Sequence, residues 1–403
     1  MNFFSALRVY LLFGGFLVTT KNLFMFYFNP ENDLALANFN PFYTPPASAR
    51  KMANDLAILP MWYAEDGSKI IAEDRYNRDF LDRIKEVFPL DVSLISFSCL
   101  SPFSHEKVIP WGWNPSLRKK LIDAGMDVAS LPSLDELERI REYSSRRNAV
   151  RLLTDLQAEH PFFCGESHYF TEINDVLKFL SSDKGDKVLK MPYSGSGKGL
   201  VWIKGDITDK QQDWCKRVIN NQGGVVVEPV FDKVKDFAME FRIDDGRVHF
   251  TSYSLFHSTS SGMYAGNRLL SDFFIEQHLS TYVPITYLRD LIIELEHKLV
   301  SYFPAYKGFL GVDMMICRNK EHDYPIHPCV EINMRMNMGL VARAFYDRFV
   351  HEASGGIFKT VFFKQNGEAL QYKTKMVADD PLIVKDNRIV SGFLPLNPVS
   401  EET

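Results

Sequence analysis

The chain has 403 residues, of which 46% are hydrophobic and 24% are charged, and its formal net charge is −5. This balance is typical of a globular protein of two or three domains and excludes a largely disordered chain. Because Lys and Arg are not in excess, it also argues against nucleic-acid binding, so the pair Arg146 and Arg147 is interpreted as a solvated helix face.

The N-terminal segment is ambiguous. Residues 3–18 are strongly apolar, but Arg8 interrupts them and they are short for a membrane span. We consider three interpretations of residues 1–24: an apolar extension before a true start at Met25, a secretory signal or anchor, and an integral part of the fold. The five cysteines form no CxxC pair and are odd in number, which indicates reduced thiols. We therefore expect a cytoplasmic protein without membrane association, with a signal or anchor left open by the leader.

In the first third of the chain, short apolar runs alternate with helical patterns, which predicts an α/β domain over residues 25–140. The predicted elements are strand 24–28, helix 45–59, helix 75–87, strand 92–98 and helix 115–124, the last ended by Gly125. Ser133 and Glu136 form the capping box of a further helix. The polar motif NPENDLALAN follows the first strand, and its Asn32 and Asp33 are predicted either to cap the next helix or to reach a substrate.

From about residue 145 the pattern becomes richer in strands. The predicted elements are strands 188–191, 200–203, 225–227, 237–243, 248–253, 309–317 and 328–332, and helix 287–302. The Ser-, Gly- and Thr-rich segment 256–268 is interpreted as a cover over a substrate or as a plain surface loop. After about residue 370 the chain is weakly patterned.

The most informative loop is the sequence SGSGKG, residues 194–199. It fails the Walker pattern because Gly199 follows Lys198 and a strand comes next, and it fails the dinucleotide and kinase glycine patterns because Leu200 replaces a required glycine. What remains is a β-hairpin tip whose backbone N–H groups and lysine can cover a polyphosphate. The alternative is an ordinary flexible turn.

Acidic and amide side chains occur on two later strands. Asp313 lies within one strand, and Glu331 and Asn333 lie two residues apart on the other, so that they share a face. Hard oxygen ligands of this kind are those that Mg²⁺ prefers. A surface position is the alternative for each acid, but the apolar neighbours favour burial, which requires a cation or partner.

Taken together, these segments resemble the ATP-grasp enzymes, which include D-alanine–D-alanine ligase, glutathione synthetase and biotin carboxylase. The resemblance covers about residues 146–345 and rests on five segments in the order found in the family: VLKMPYSGSGKGL, VVVEPV, MEFRID, GFLGVDMMI and EINMRMNMG. It implies an α/β (α+β) protein with an ATP-grasp domain over residues 141–360, in which two subdomains clamp ATP. The smaller α/β domain precedes it, and a C-terminal tail of residues 361–403 follows.

The resemblance also implies roles for individual residues. Lys190 would contact the adenine side or the α-phosphate, the 194–199 loop would close over the β- and γ-phosphates, and Glu228 would lie beside the adenine amino group. Asp236 or Glu240 would bind the ribose. The full ATP set is Lys190, Ser194, Gly195, Ser196, Gly197, Lys198, Gly199, Glu228, Pro229, Val230, Asp236 and Glu240.

For the reaction, the resemblance implies one or two Mg²⁺ ions held by Asp313, Glu331 and Asn333. Arg335, Arg242 and Lys198 would be the catalytic cations. The expected activity is that of a ligase: a carboxylic acid is activated as an acyl phosphate and joined to an amine, or less often a thiol, with release of ADP and phosphate. An ATP-grasp-type kinase and a non-catalytic nucleotide-binding protein are the alternatives, and a homodimer is left open.

Overall fold

The computed structural model of the chain describes residues 24–72, 74–160, 162–182, 185–195, 199–259, 262–320 and 323–401. The interpretations of the apolar leader therefore lie outside the described residues, apart from Phe24, which begins the first strand. Within the described part, helices and strands combine in parallel and antiparallel sheets, which confirms the predicted α/β fold class. No described helix is both long enough and apolar enough to cross a membrane.

The first layer is a sheet of four parallel strands in the order β3-β2-β1-β4. In chain order its elements are β1 (Phe24–Tyr27), α1 (Asn32–Asn38), α2 (Ala47–Asp55), β2 (Ser68–Ile71), α3 (Arg75–Lys85), β3 (Val92–Ile95), β4 (Lys107–Pro110) and α4 (Pro115–Asp123). Asp74 and Asn114 start α3 and α4, because each side chain accepts a hydrogen bond from a backbone N–H in the first turn. All four strands end at one edge of the sheet, where the segment after β1 also lies.

Two helices, α5 (Leu134–Tyr143) and α6 (Arg146–Glu159), lead out of this layer. The capping box of Ser133 and Glu136 at the start of α5 is confirmed. Leu152 and Leu156 of α6 belong to the largest hydrophobic core, so α6 is fixed to the sheet that follows later in the chain.

The next unit is a small antiparallel sheet in the order β5-β8-β6-β7. Its elements are β5 (His168–Phe170), α7 (Ile173–Ser182), β6 (Lys187–Lys190), β7 (Leu200–Ile203), α8 (Asp209–Gln222) and β8 (Val225–Pro229). Leu189 and Val227 pack with α7 and α8 in a separate core. Because side chains alternate along a strand, Lys190 and Glu228 point to the opposite face.

The third unit is a larger antiparallel sheet. Its elements in chain order are β9 (Lys233–Asp244), β10 (Arg247–Ser254), β11 (Phe256–Ser258), β12 (Tyr264–Leu269), α9 (Asp272–Leu279), α10 (Ile285–Tyr302), β13 (Gly308–Cys317), β14 (Ile326–Asn333), α11 (Met338–Phe349) and β15 (Gly356–Lys359). The main sheet has the order β10-β9-β13-β14, and β11, β12 and β15 form a second sheet. Leucines at helical spacing on α10, from Leu288 to Leu299, fill the core behind the main sheet.

Several elements differ from the sequence-based expectation. The helix predicted over 45–59 is shorter, since α2 ends at Asp55, and the strand predicted over 92–98 ends at Ile95. The segment 256–268 contains the hairpin strands β11 and β12 rather than a plain loop. The weakly patterned C-terminal segment contains α12 (Glu368–Asp379), β16 (Ile383–Lys385) and β17 (Arg388–Ser391). These elements could not be predicted from the sequence, because few of their side chains are buried. One that is, Ile389, packs into a core formed mainly by residues distant in the chain.

Candidate functional site

The acids predicted to bind metal lie side by side on the large sheet. Asp313 on β13 is the cross-strand partner of Glu331 on β14, and Asn333 is the partner of Gly311. The Asn333 side-chain amide donates to the Asp313 carboxylate over 3.1 Å. Burial, together with the nearby charge of Glu331, raises the pKa of Asp313 to about 7. Two facing carboxylates fit a divalent cation, because its charge would offset the burial and the neighbouring charge that raise this pKa. The Asn333 side chain here turns its nitrogen to Asp313 and its oxygen to Arg335.

Arg146 connects these acids to the glycine loop. Its guanidinium lies 2.5 Å from Glu331 and also donates to the Met191 carbonyl over 2.6 Å and to the Ser194 hydroxyl over 2.8 Å. The residue is only 6% exposed, so the expectation of a solvated helix face for Arg146 is wrong. The sequence did not show that Arg146 reaches from α6 to Glu331 on β14. The space between the small sheet and the large sheet, which Arg146 enters, is called the cleft below.

The small sheet presents a second buried ion pair. The Lys190 ammonium lies 2.5 Å from one carboxylate oxygen of Glu228, and Ser167 donates to the other oxygen over 2.9 Å. Both charged side chains are less than 10% exposed. A buried pair of this kind is held by its surroundings, and removing either charge alone would leave the other uncompensated.

A third ion pair joins the N-terminal layer to the large sheet. The Arg335 guanidinium makes two parallel hydrogen bonds to the Asp33 carboxylate, of 2.8 and 2.7 Å, and a further one of 3.1 Å to the Asn333 side chain. Burial alone would raise the pKa of Asp33, but the charge and hydrogen bonds of Arg335 hold it below its usual value. A Cβ on Gly195 would lie 2.4 Å from the Asp33 carboxylate, so this end of the glycine loop packs directly on the pair.

Of the two roles predicted for Asn32 and Asp33, the structure contradicts the helix cap. Both lie inside α1, whose first turn has no side-chain cap. Asn32 is buried and accepts a hydrogen bond from the Asn114 amide over 3.0 Å, which ties α1 to the segment before α4. The expectation that these two residues cap the next helix is wrong, because the N-cap position falls one residue earlier, at Glu31.

Glu240 lies deeper on the same face of the large sheet. It is 1% exposed and accepts a hydrogen bond of 2.6 Å from the Asn337 amide. Gly311 and Gly339 make room for its carboxylate, since a Cβ on either would come within 2.5 Å of it. Burial, partly offset by the Asn337 bond, raises the pKa of Glu240 to about 8, so this group is a neutral acid at pH 7.

Other predicted residues lie farther from these contacts. Asp236 accepts from Lys233 over 2.6 Å and from the Ser258 hydroxyl over 2.5 Å. Arg242 pairs with Asp244 near the end of β9, is half exposed and lies over the Phe309 ring. The structure therefore does not bring Arg242 into the group formed by the acids and Arg335.

The glycine loop is described only in part. Ser194 is buried and bonded to Arg146, Gly195 packs on Asp33, and Gly199 turns tightly against Ser194. Residues 196–198, which include the predicted phosphate lysine Lys198, lie outside the described residues. Pro229 ends β8, and Val230 follows it as an exposed residue.

Two cavities are associated with these units. A small one of about 20 Å³ lies between the glycine loop and β14 and is lined by Asp33, Tyr193, Ser194, Glu331 and Asn333 among others. A much larger open groove of about 980 Å³ lies on the N-terminal layer. The small cavity is the one at the predicted site, because Ser194 of the glycine loop and Glu331 and Asn333 of the predicted metal set line it.

Solved structures of similar fold were found, whereas no protein-family model matches the chain and no curated protein matches its sequence. N5-carboxyaminoimidazole synthetase from Staphylococcus aureus, complexed with ADP, is 12% identical, with 92% of this chain and 91% of that chain covered and a TM-score of 0.46. N5-carboxyaminoimidazole synthase from Aspergillus clavatus, with ADP and an aminoimidazole ribonucleotide, is 12% identical, with 92% and 91% covered and a TM-score of 0.40. Biotin carboxylase from Campylobacter jejuni is 11% identical, with 83% and 73% covered and a TM-score of 0.43.

Proposed function

We propose that this chain is an ATP-dependent ligase that activates a substrate carboxylate as an acyl phosphate and joins it to an amine. The observation that carries the proposal is the pairing of Asp313 with Glu331 on the large sheet, facing a glycine hairpin and the buried Lys190 of the small sheet. A hairpin rich in backbone donors, a buried ammonium group and paired hard acids are the parts that hold a nucleoside triphosphate with its metal.

In the proposed arrangement, Asp313, Glu331 and the Asn333 side chain hold one or two Mg²⁺ ions. When bound, Mg²⁺ would neutralise charge on the phosphates. Lys190 and the 194–199 loop bind the phosphate chain. Arg146 neutralises the Glu331 carboxylate in this structure, and it would be able to contact the phosphates if a cation were held at Glu331.

Arg335 orients the carboxylate substrate. An oxygen of this carboxylate attacks the γ-phosphorus while the bond to the bridging oxygen of ADP breaks, giving an acyl phosphate and ADP. The nitrogen of the amine then attacks the acyl carbon, and phosphate leaves with the bonding electron pair and takes up the amine proton. The guanidinium of Arg335 faces charge that grows on the reacting oxygens, so its contribution is electrostatic. The acid and the amine are small molecules of unassigned structure.

The first experiment is thermal unfolding with a non-hydrolysable ATP analogue, with and without Mg²⁺, on the wild type and Glu331→Gln. A ligand at about 100 times its Kd stabilises by about 2.7 kcal/mol. We expect this stabilisation to require Mg²⁺ and to shrink in Glu331→Gln, whereas the control Asp123→Asn, on an exposed pair with Lys119, behaves like the wild type. No stabilisation of the wild type would contradict the nucleotide site.

Product analysis then tests the reaction. ADP release that requires both a carboxylic acid and an amine, with an amide as the second product, supports the ligase. ADP release with an alcohol alone and a phosphate ester as product would indicate the kinase alternative. ATP binding without ADP release under any of these conditions would indicate a non-catalytic nucleotide-binding protein.

A further inference from the structure

His327 on β14 is an unusual buried histidine. It is 0% exposed, and neither ring nitrogen has a hydrogen-bond partner among the residues that the structure describes. Burial lowers its pKa to about 4, so the ring is neutral at pH 7 and has one N–H donor and one acceptor nitrogen. Buried polar groups are nearly always bonded, so two unpaired nitrogens in a closed interior indicate a missing partner.

The position of His327 is at one end of the cleft. Its cross-strand partner is Met315, which lies two residues after Asp313 on β13 and therefore on the same face. Four residues farther along β14 lies Glu331, also on this face. His327 thus lies on the cleft side of the sheet, at the end away from the Asp33–Arg335 pair.

The surroundings of the ring belong to the small sheet and its connections. The imidazole meets the ring of Phe231, two residues after β8, edge-on at 5.5 Å between centroids. Gly165 leaves space for it, since a Cβ there would lie 2.9 Å from the ring. The charges of both Glu228 and Lys190 act on its pKa, which places the imidazole beside that ion pair. In addition, each oxygen of Glu228 is already bonded, one to Ser167 and one to Lys190.

We propose that His327 reads the nucleobase of ATP, with its unprotonated ring nitrogen accepting a hydrogen bond from the exocyclic amino group of adenine. This inference rests on the proposed nucleotide site and assigns its base-recognition residue. Phe231 beside the imidazole supplies the apolar edge of the base pocket. Both oxygens of Glu228 already interact, one with Ser167 and one with Lys190. The unprotonated nitrogen of His327 is therefore the acceptor beside this pair that has no partner among the described residues. Opening of the two sheets admits the base, and its amino group gives the buried nitrogen its missing partner.

The test compares ATP with purine riboside 5′-triphosphate, which lacks the amino group, in calorimetric titrations with Mg²⁺. For the wild type we expect the analogue to bind roughly 3- to 10-fold more weakly, the range of one neutral hydrogen bond. In His327→Phe, which fills the space without an acceptor, the two nucleotides should bind equally. His327→Gln, which retains an acceptor, should recover part of the preference. If the Phe variant does not fold, His327→Leu, which also lacks an acceptor, takes its place and should likewise bind the two nucleotides equally.

An unchanged preference for ATP in both variants would refute the role of His327 and leave the proposed function intact. A structural role alone would lower stability without changing the ratio of the two affinities, and would also refute it. Failure of the folded wild type to bind either nucleotide would overturn the proposed function and this inference together.

Discussion

Replacing Lys190 by Met should destabilise the small sheet strongly. The side chains of Lys190 and Glu228 are 9% and 6% exposed, and their charged atoms lie 2.5 Å apart. Removing the lysine leaves the Glu228 carboxylate buried, with the Ser167 hydroxyl as its remaining partner among the described residues. Loss of one member of a buried pair typically costs about 3 to 5 kcal/mol, mostly through the uncompensated charge. A pair on the surface is worth only about 0 to 1 kcal/mol.

The measurement is hydrogen exchange of the backbone amides in β6 and β8, supported by urea unfolding. Lys119→Met, which breaks the exposed pair with Asp123, is the control and should change little. The double variant Lys190→Met, Glu228→Gln should regain most of the stability, since no charge is then left unpaired, but it should not regain ATP binding. If Lys190→Met is no more destabilising than the control, or if the double variant is no more stable than Lys190→Met, the reasoning about this buried pair is wrong.

Three further predictions concern the rest of the cleft. Asp33→Asn removes the charge paired with the nearly buried Arg335. It should lower the free energy of unfolding, measured with urea, by about 3 kcal/mol. A change below about 1 kcal/mol would contradict the proposed strength of this pair. Burial raises the pKa of Glu240 in the folded protein to about 8. The contribution of Glu240 to stability is therefore present at low pH and is lost as the pH rises from the pKa of the unfolded chain to about 8. Over this window the free energy of unfolding should fall by up to about 1.4 kcal/mol per pH unit. The free energy of unfolding should therefore fall less over this range in Glu240→Gln, and identical slopes would refute the shift. Gly339→Ala places a Cβ 2.3 Å from the Glu240 carboxylate. In thermal unfolding it should lower stability by about 1 to 3 kcal/mol, although alanine favours a helix. The control Gly356→Ala, whose Cβ would have its nearest neighbour at 3.4 Å, should be tolerated in this assay.

Much of the local structure could be predicted because its signals are local. The glycine hairpin between β6 and β7, the capping box at Ser133 and the strand pair β9–β10 each depend on residues within a few positions of one another. The acids proposed to hold a metal were also accessible to sequence reasoning. Glu331 and Asn333 share a face through the two-residue period of a strand, and Asp313 stands in an apolar strand where an isolated acid is unusual.

The partners of these residues were not predictable in the same way. Arg146 had the sequence of a surface helix residue, yet α6 places it 2.5 Å from Glu331, 185 positions later in the chain. Asp33 was predicted either to cap a helix or to reach a substrate, and its pairing with Arg335 spans 302 positions. His327 could not be predicted, because a lone histidine carries no local signal. It is distinguished by its burial and by ring nitrogens that have no partner among the described residues.

The sequence by itself determined the α/β class, the glycine hairpin, several of the strands and the presence of hard acids on two of them. It could do so because backbone periodicity and turn chemistry act over a few residues. The tertiary structure alone decided which charges meet: Arg146 with Glu331, Arg335 with Asp33 and Lys190 with Glu228. Ion pairs between distant segments depend on how the sheets pack, and packing is set by the apolar cores behind them rather than by the charged residues themselves.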